Sequence, residues 1–243
     1  FAWDPLSNVL VTECPATGVQ VFEAPEFEEK AHFPIAHPAY QGDKDTISPA
    51  LAVAGDLIVL VRPITGSNSP TLMAVLWRKG IETFESILPM GEVCALAAAP
   101  SGDIVAVLMQ ISPGLRHLFL FSIMSEGENL QLAFQEEVNP AISYLLFDQP
   151  GRHLICWGDS QFTIFELNQA SEPREMTLAP TILGASPIIT GVTAHKSSVA
   201  VGVRKEGIRM INPQLGTLFT HLLPSMNATP LDITPDGAWL LAR

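Results

Sequence analysis

Five aspartates, Asp4, Asp56, Asp103, Asp148 and Asp236, recur beside small turn residues along the chain. Carboxylates repeated in this way would make a cation site if the fold gathered them round one axis. Their offsets from the turns vary by several residues, so they need not converge. The plainer reading is that Asp, like Pro and Gly, stabilises a turn by bonding nearby backbone. Six histidines (His32, His37, His117, His153, His195 and His221) show neither i,i+4 pairing nor a constant place in any repeat. Folding can assemble a Ser-His-Asp triad from distant residues. With no nucleophile motif such as Gly-x-Ser-x-Gly, isolated core or surface histidines are the simpler expectation. The residues therefore predict no catalytic group, no metal and no cofactor.

The three cysteines, Cys14, Cys94 and Cys156, are odd in number, widely spaced and without a Cys-x-x-Cys pair. That argues against a disulfide scaffold or zinc site and fits a reducing, cytoplasmic compartment. Cys94 and Cys156 lie inside apolar runs and read as small buried hydrophobes. Cys14, in "ECPATG", reads as a loop residue with nothing basic nearby to activate it. Asn227-Ala-Thr229 fits the glycosylation triplet, which the cysteine pattern does not support. The net charge of -12 repels phosphate backbones, so nucleic acid is not expected as a partner. No apolar stretch reaches the roughly 18 residues of a membrane span. With 47% hydrophobic residues, the 243-residue chain has ample material for a core.

What would position these side chains is a repeated hairpin. "CALAAAPSGDIVAVLMQ" (94–110) is two apolar runs about a Pro-Ser-Gly-Asp turn, and "YLLFDQPGRHLICWG" (144–158) and "LDITPDGAWLLAR" (231–243) have the same form. The small turn residues Ser7, Gly55, Gly102, Gly151, Ser197 and Gly237 are spaced by 48, 47, 49, 46 and 40 residues. A period of this length denotes an array, solenoid or propeller. After each hairpin comes an alternating third run: "GVQVFEA", "LMAVLW", "HLFLFSI", "QFTIFEL" and "GIRMI". A fourth, weaker run then precedes the next cycle. Four short strands per unit, bounded by Gly, Pro, Ser and Asn, predict a propeller blade with strands a to d. Helical periodicity is nowhere sustained.

On these residues the chain, read as one domain over 1–243, resembles the WD40-like β-propellers. "PSGD", "QPGR" and "PDGA" look like that family's a–b turn, and "QFTIFEL" like its third strand without the closing Trp-Asp. Trp157-Gly158-Asp159 stands where one blade keeps the b–c turn aspartate. The Gly-His dipeptide is absent. "FAWDPLSNVLVTE" (1–13) aligns with "LDITPDGAWLLAR", Pro5 on Pro235. The expectation is five complete repeats plus the opening half of a sixth, as part of a larger ring whose remainder lies outside these residues.

The resemblance implies a non-catalytic scaffold or recognition module that contacts other proteins within a multidomain chain or complex. An alternative is a propeller hydrolase or lactonase with a central metal, although the innermost runs here are Ala, Val, Leu and Ile. A third is a purely architectural set of blades. The c–d turns carry ten acidic and four basic residues, so one face is expected to be acidic and the other nearly neutral. The d–a and b–c connections emerge on that second face. The longest are "AHPAYQGDKDTIS" (36–48), "RPITGSNSPT" (62–71), "ISPGLR" (111–116) and "TILGASPIIT" (181–190). Loops longer than a hairpin needs are often functional. Tyr40, Arg62, Ile64, Leu115 and Arg116, all interface-type residues, are the expected partner contacts.

Overall fold

The apolar runs become strands in groups of four. The computed structural model describes residues 1–4, 7–14, 18–33, 51–63, 69–78, 82–123, 130–167, 173–176, 183, 187–195, 198–215, 217–224, 226–233 and 239–243. Blade 1 holds β1 (Ala2–Asp4), β2 (Val9–Cys14), β3 (Gly18–Glu23) and β4 (Glu28–Phe33). Blade 2 holds β5 (Leu51–Ala54), β6 (Leu57–Pro63), β7 (Pro70–Leu76) and β8 (Glu82–Ile87). Blade 3 holds β9 (Glu92–Ala98), β10 (Ile104–Ser112), β11 (Leu115–Ile123) and β12 (Leu130–Val138). Blade 4 holds β13 (Tyr144–Phe147), β14 (His153–Trp157), β15 (Phe162–Glu166) and β16 (Arg174–Met176). Blade 5 holds β17 (Ile189–His195), β18 (Ser198–Val203), β19 (Gly207–Asn212) and β20 (Thr217–Leu222). A half-blade, β21 (Pro230–Ile233) and β22 (Leu240–Ala242), follows. Every sheet is an antiparallel meander in chain order, so the four runs of each repeat are strands a to d.

The chain divides into two compact units, Phe1–Glu136 and Glu137–Arg243. The first holds blades 1 to 3, apart from the last two residues of β12. The second holds blades 4 and 5 and the half-blade. Within each unit, strand a of one blade lies beside strand a of the next: β1 by β5 and β5 by β9, then β13 by β17 and β17 by β21.

Strands b read as unbroken apolar runs because both of their faces are covered. In blade 2, Ile58, Leu60, Met73 and Val75 pack on Val9, Val11, Val19 and Val21 of blade 1. The alternate residues Leu57, Val59, Val61, Leu72 and Ala74 pack on Val105, Val107, Met109 and Phe119 of blade 3. In the second unit, Ile155 and Ile164 of blade 4 meet Val199 and Val201 of blade 5. Ala200 and Ile208, on the far side of blade 5, meet Ile233 and Leu240 of the half-blade. Each fully buried Leu or Ile contributes about 1.5–3 kcal/mol by leaving water. A polar residue inserted at Leu57 or Ile58 would therefore break a seam as well as a strand.

The a–b turns come in two lengths. In blades 2 and 5 the closing pairs Ala54↔Leu57 and His195↔Ser198 leave two residues in the turn. In blades 1, 3 and 4 the turn is longer, as in Asp4↔Val9 and in Asp148, whose amide donates to the His153 carbonyl at 3.0 Å. Gly55, Gly102 and Gly151 occupy these turns with φ of +56°, +76° and +70°, a region that disfavours residues with a Cβ. Gly237 and Ser197 lie outside the described residues.

Three expectations are corrected. "ISPGLR" is not an extended loop: Ile111 and Ser112 belong to β10, Leu115 and Arg116 to β11, and only Pro113-Gly114 turns the chain. A register shift between Gln110 and Ser112 absorbs the extra residue, and Gly114 supplies φ +79°. Similarly, Arg62 and Pro63 finish β6 and Pro70 and Thr71 begin β7, which shortens that connection to 64–69. Cys14 is not a loop residue either; it ends β2, paired with Gly18.

Candidate partner-binding site

The face expected to bind partners is built from the ends of strands b and the starts of strands c and a. Tyr40 and Ile64 lie outside the described residues. Arg62 sits near the end of β6, opposite Thr71. Alternation puts it on the side of Leu60 and Ile58, which faces blade 1. Its Nε is buried without a hydrogen bond among the described residues. Burial lowers the guanidinium pKa, opposed by the nearby charges of Glu13 and Glu85.

Leu115 opens β11, paired with Ser112 and partly buried, and Arg116 follows opposite Gln110. Arg116 alternates with Leu118 and Leu120, away from Phe119 and Phe121, which pack towards blade 2. Burial raises the pKa of the nearby Cys94 thiol, and the Arg116 charge opposes that shift. Each arginine thus has its own neighbours, and alternation turns the two to different sides of their blades.

The same ends of blade 4 carry a feature that the sequence reading did not single out. Tyr144 opens β13 and Trp157 closes β14, and the two are directly paired. Their rings stack at 5.3 Å with an interplanar angle of 23°. Trp157 and Phe162 anchor this step by packing on the core between blades 4 and 5. Tyr144 is 53% exposed and Ile188, just before β17, 45% exposed. The b–c turn Gly158–Gln161 is closed by Gly158 N donating to Gln161 O at 2.9 Å. It is clipped to blade 5 by Ile189 N donating to Asp159 O at 2.7 Å. A Cβ on Gly158 would fall 1.7 Å from the Ala141 carbonyl oxygen, so only glycine lets the two connections approach this closely. Asp159 of Trp157-Gly158-Asp159 thus lies in the b–c turn, and it is its backbone carbonyl that makes the clip. A signal for the aromatic step was present: counting equal steps outward from the Pro150-Gly151 turn sets Tyr144 against Trp157.

The candidate chemistry elsewhere resolves into structure. Asp148 Oδ1 accepts from the amides of Arg152 (2.8 Å) and His153 (3.0 Å), and Oδ2 lies 2.6 Å from His153 Nδ1. Both side chains are buried, and His153 Nε2 has no hydrogen-bond partner among the described residues. An oriented imidazole of this kind is two-thirds of a triad, but no hydroxyl or thiol is bonded to it among the described residues. Here the pair braces a hairpin. His195 is also buried, with no hydrogen-bond partner for Nε2 among the described residues, on the far side of β17 from the His153 seam. Among the described residues, no three His, Cys, Asp or Glu side chains are grouped to hold a metal. Among the described residues Cys94 and Cys156 form no disulfide, and Cys156 is buried.

No protein-family model matches the chain, and no curated protein matches it. Solved structures do. The β-propeller domain of Cps50 (Swd1) from Myceliophteria thermophila is 13% identical, with a TM-score of 0.60 over 99% of this chain and 77% of that one. KlAtg21, solved in complex with the coiled-coil of AgAtg16, is 12% identical, with a TM-score of 0.61 over 88% of this chain and 67% of that one. The WD40 domain of Toxoplasma gondii coronin is 8% identical, with a TM-score of 0.51 over 76% of this chain and 48% of that one. Identities this low establish the fold alone: an all-β, WD40-like β-propeller fold of four-stranded antiparallel blades.

Proposed function

We propose that this chain is a non-catalytic, intracellular recognition module that binds protein partners through the d–a and b–c ends of its blades, within a larger protein or complex. The observation that carries the reading is the Tyr144–Trp157 stack with Ile188: a large, rigid aromatic surface left in water at those ends of blades 4 and 5. Aromatic anchors of this kind concentrate binding energy because little rotamer entropy is lost when they are covered. Arg62, Leu115 and Arg116, with Tyr40 and Ile64, are the contacts assigned to the same ends of the first unit. Arg62, partly desolvated by burial, suits this role. That KlAtg21 was solved with a coiled-coil partner supports a protein ligand over a small molecule. The net charge of -12 disfavours nucleic acid.

The test is cross-linking of partners to the protein in cells, followed by mass spectrometry. One variant is Tyr144→Ala, a second combines Tyr40→Ala, Arg62→Gln and Arg116→Gln, and a control carries Glu26, Glu28 and Glu29 changed to Gln. Partner loss in the first two, with thermal midpoints within a few degrees of wild type, is the expected result. Loss in the glutamate control alone would place the partner at the opposite ends of the blades.

A further inference from the structure

Beside the Tyr144–Trp157 step, the d–a and b–c ends of the second unit carry a basic turn. Arg204 and Lys205 lead the b–c turn of blade 5, and both are exposed. Neither side chain makes an ion pair among the described residues. Glu206, the third residue of the turn, is paired with Arg209, so the two leading cations are left uncompensated. The turn is braced on every side. Glu206 N donates to Val203 O and Gly207 N to Met226 O, each at 3.0 Å. Lys205 sits at φ +63°, and its amide donates to Asn227 Oδ1 at 2.8 Å. A basic pair held on a fixed backbone loses little freedom when a ligand covers it.

Backbone bonds join this turn to the aromatic step. Arg204 N donates to Ile188 O at 2.8 Å, and the next residue, Ile189, is the one clipped to Asp159, two positions beyond Trp157. Rings, Ile188 and cations therefore follow one path, on the order of 10–15 Å long, which about four or five residues of extended chain would cover. All of these residues belong to the second unit. Register puts Tyr144 and Trp157 on the side of blade 4 that packs on blade 5, so their surroundings are set within that unit. Asp159 is exposed at the aromatic end of the path and the cations stand at the other.

We propose, on the footing of the recognition surface above, that blades 4 and 5 take a short acidic–hydrophobic segment of a partner protein. An apolar side chain covers the Tyr144–Trp157 step and Ile188, and carboxylates further along the segment meet Arg204 and Lys205. Asp159 sets the direction, because its charge keeps the segment's carboxylates to the basic end. The net charge of -12 repels an extended polyanion, whether nucleic acid or an anionic bilayer, whereas a short segment meets only the local cations.

The probe is a fluorescein-labelled synthetic peptide repeating glutamate, phenylalanine and glycine, followed by anisotropy at low and high salt (about 0.02 and about 0.3 M). The unmodified protein should bind it, and more weakly at high salt. Arg204→Gln with Lys205→Asn should raise the Kd about threefold to tenfold, asparagine being tolerated at positive φ. Tyr144→Ala should raise it about tenfold or more. Lys30→Gln with Arg152→Gln removes the same charge at the opposite ends of blades 1 and 4 and should leave the Kd unchanged. The proposal is overturned by no binding to the unmodified protein, by equal binding of a peptide with lysine in place of glutamate, or by an unchanged Kd in the Arg204/Lys205 variant. Tighter binding to phosphatidylserine vesicles than to the peptide would assign the cations to a lipid surface and overturns it as well. The wider recognition reading is decided separately: partners lost by cross-linking in Tyr144→Ala, with the Arg204/Lys205 variant indifferent, keep the surface and remove the acidic ligand.

Discussion

Asp4 in blade 1 and Asp148 in blade 4 hold the same place in their hairpins, yet they bond different parts of the molecule. Each lies across the turn from the residue five positions on, Val9 in one case and His153 in the other. The His153 imidazole and amide, with the Arg152 amide, give Asp148 three partners inside its own turn. Val9 has no polar side chain to offer and is fully buried. Asp4 Oδ2 therefore accepts from Ser7 Oγ at 2.6 Å and from the Gly55 amide at 2.7 Å, in the turn of the next blade. Asp148 closes a hairpin, and Asp4, which also bonds Ser7 in its own turn, ties two blades together.

The largest expected effect is at Asp148. Asp148→Ala would strip three hydrogen bonds from a fully buried site and leave the His153 ring with no partner on either nitrogen. A loss of about 3 kcal/mol follows, or a fall in Tm of about 6–12 °C. Faster amide exchange should appear at Arg152 and His153 and stay within blade 4. A Tm within a degree or two of wild type would mean that this hairpin does not depend on the pair.

Asp4→Ala should cost less, about 1–2 kcal/mol, because Asp4 is buried but its donors Ser7 and Gly55 are partly exposed and water can reach them. Its signature is positional: the amide that loses protection belongs to Gly55, fifty-one residues away in the next blade. If Gly55 exchange is unchanged, the tie between blades 1 and 2 at this point is absent in solution.

Arg78→Ala tests the second tie across that seam. Its ion pairs to Glu23 and Asp56 are about one-third exposed, so salt screens them, and the expected loss is about 0.5–1 kcal/mol at low salt. The loss should shrink as salt rises, whereas the Asp4→Ala effect, resting on an uncharged amide donor, should change much less. Equal salt dependence would show that both variants act only through the seam's net charge.

Most of the fold was legible because turn chemistry and strand burial are local. Gly55, Gly102 and Gly151 mark turns that need positive φ, and the strand b runs that follow them are apolar on both faces because both faces pack. The reading of the aspartates as turn residues holds for Asp148 and misses half of Asp4, since a contact fifty-one residues away leaves no mark near position 4. "ISPGLR" read as a loop because Pro-Gly beside Ser is punctuation, whereas one irregularity in β10 lets both strands run to the turn. The Tyr144–Trp157 step is legible only when the hairpin register is counted out from Pro150-Gly151, because its members are thirteen positions apart and neither lies in a turn. Only the strand register brings them together.

Ser7→Ala should have the smallest effect, and it measures how far Asp4 depends on local support. Removing the hydroxyl deletes one bond to Asp4 Oδ2 and leaves the Gly55 amide in place. An exposed or half-exposed neutral donor to a carboxylate contributes about 0.5–1 kcal/mol at most, because water competes for the same lone pair. If Ser7 merely shares Asp4 with Gly55, Ser7→Ala costs a few tenths of a kcal/mol and Gly55 exchange is unchanged. If Ser7 instead fixes the carboxylate rotamer, the variant should reproduce the loss of Gly55 protection seen in Asp4→Ala. Adding Ser7→Ala to Asp4→Ala should then cost nothing further. Blade 4 has no such dependence, since the donors to Asp148 are fixed by the hairpin itself. A full loss of Gly55 protection in Ser7→Ala would thus put three residues, and not two, in the link between blades 1 and 2.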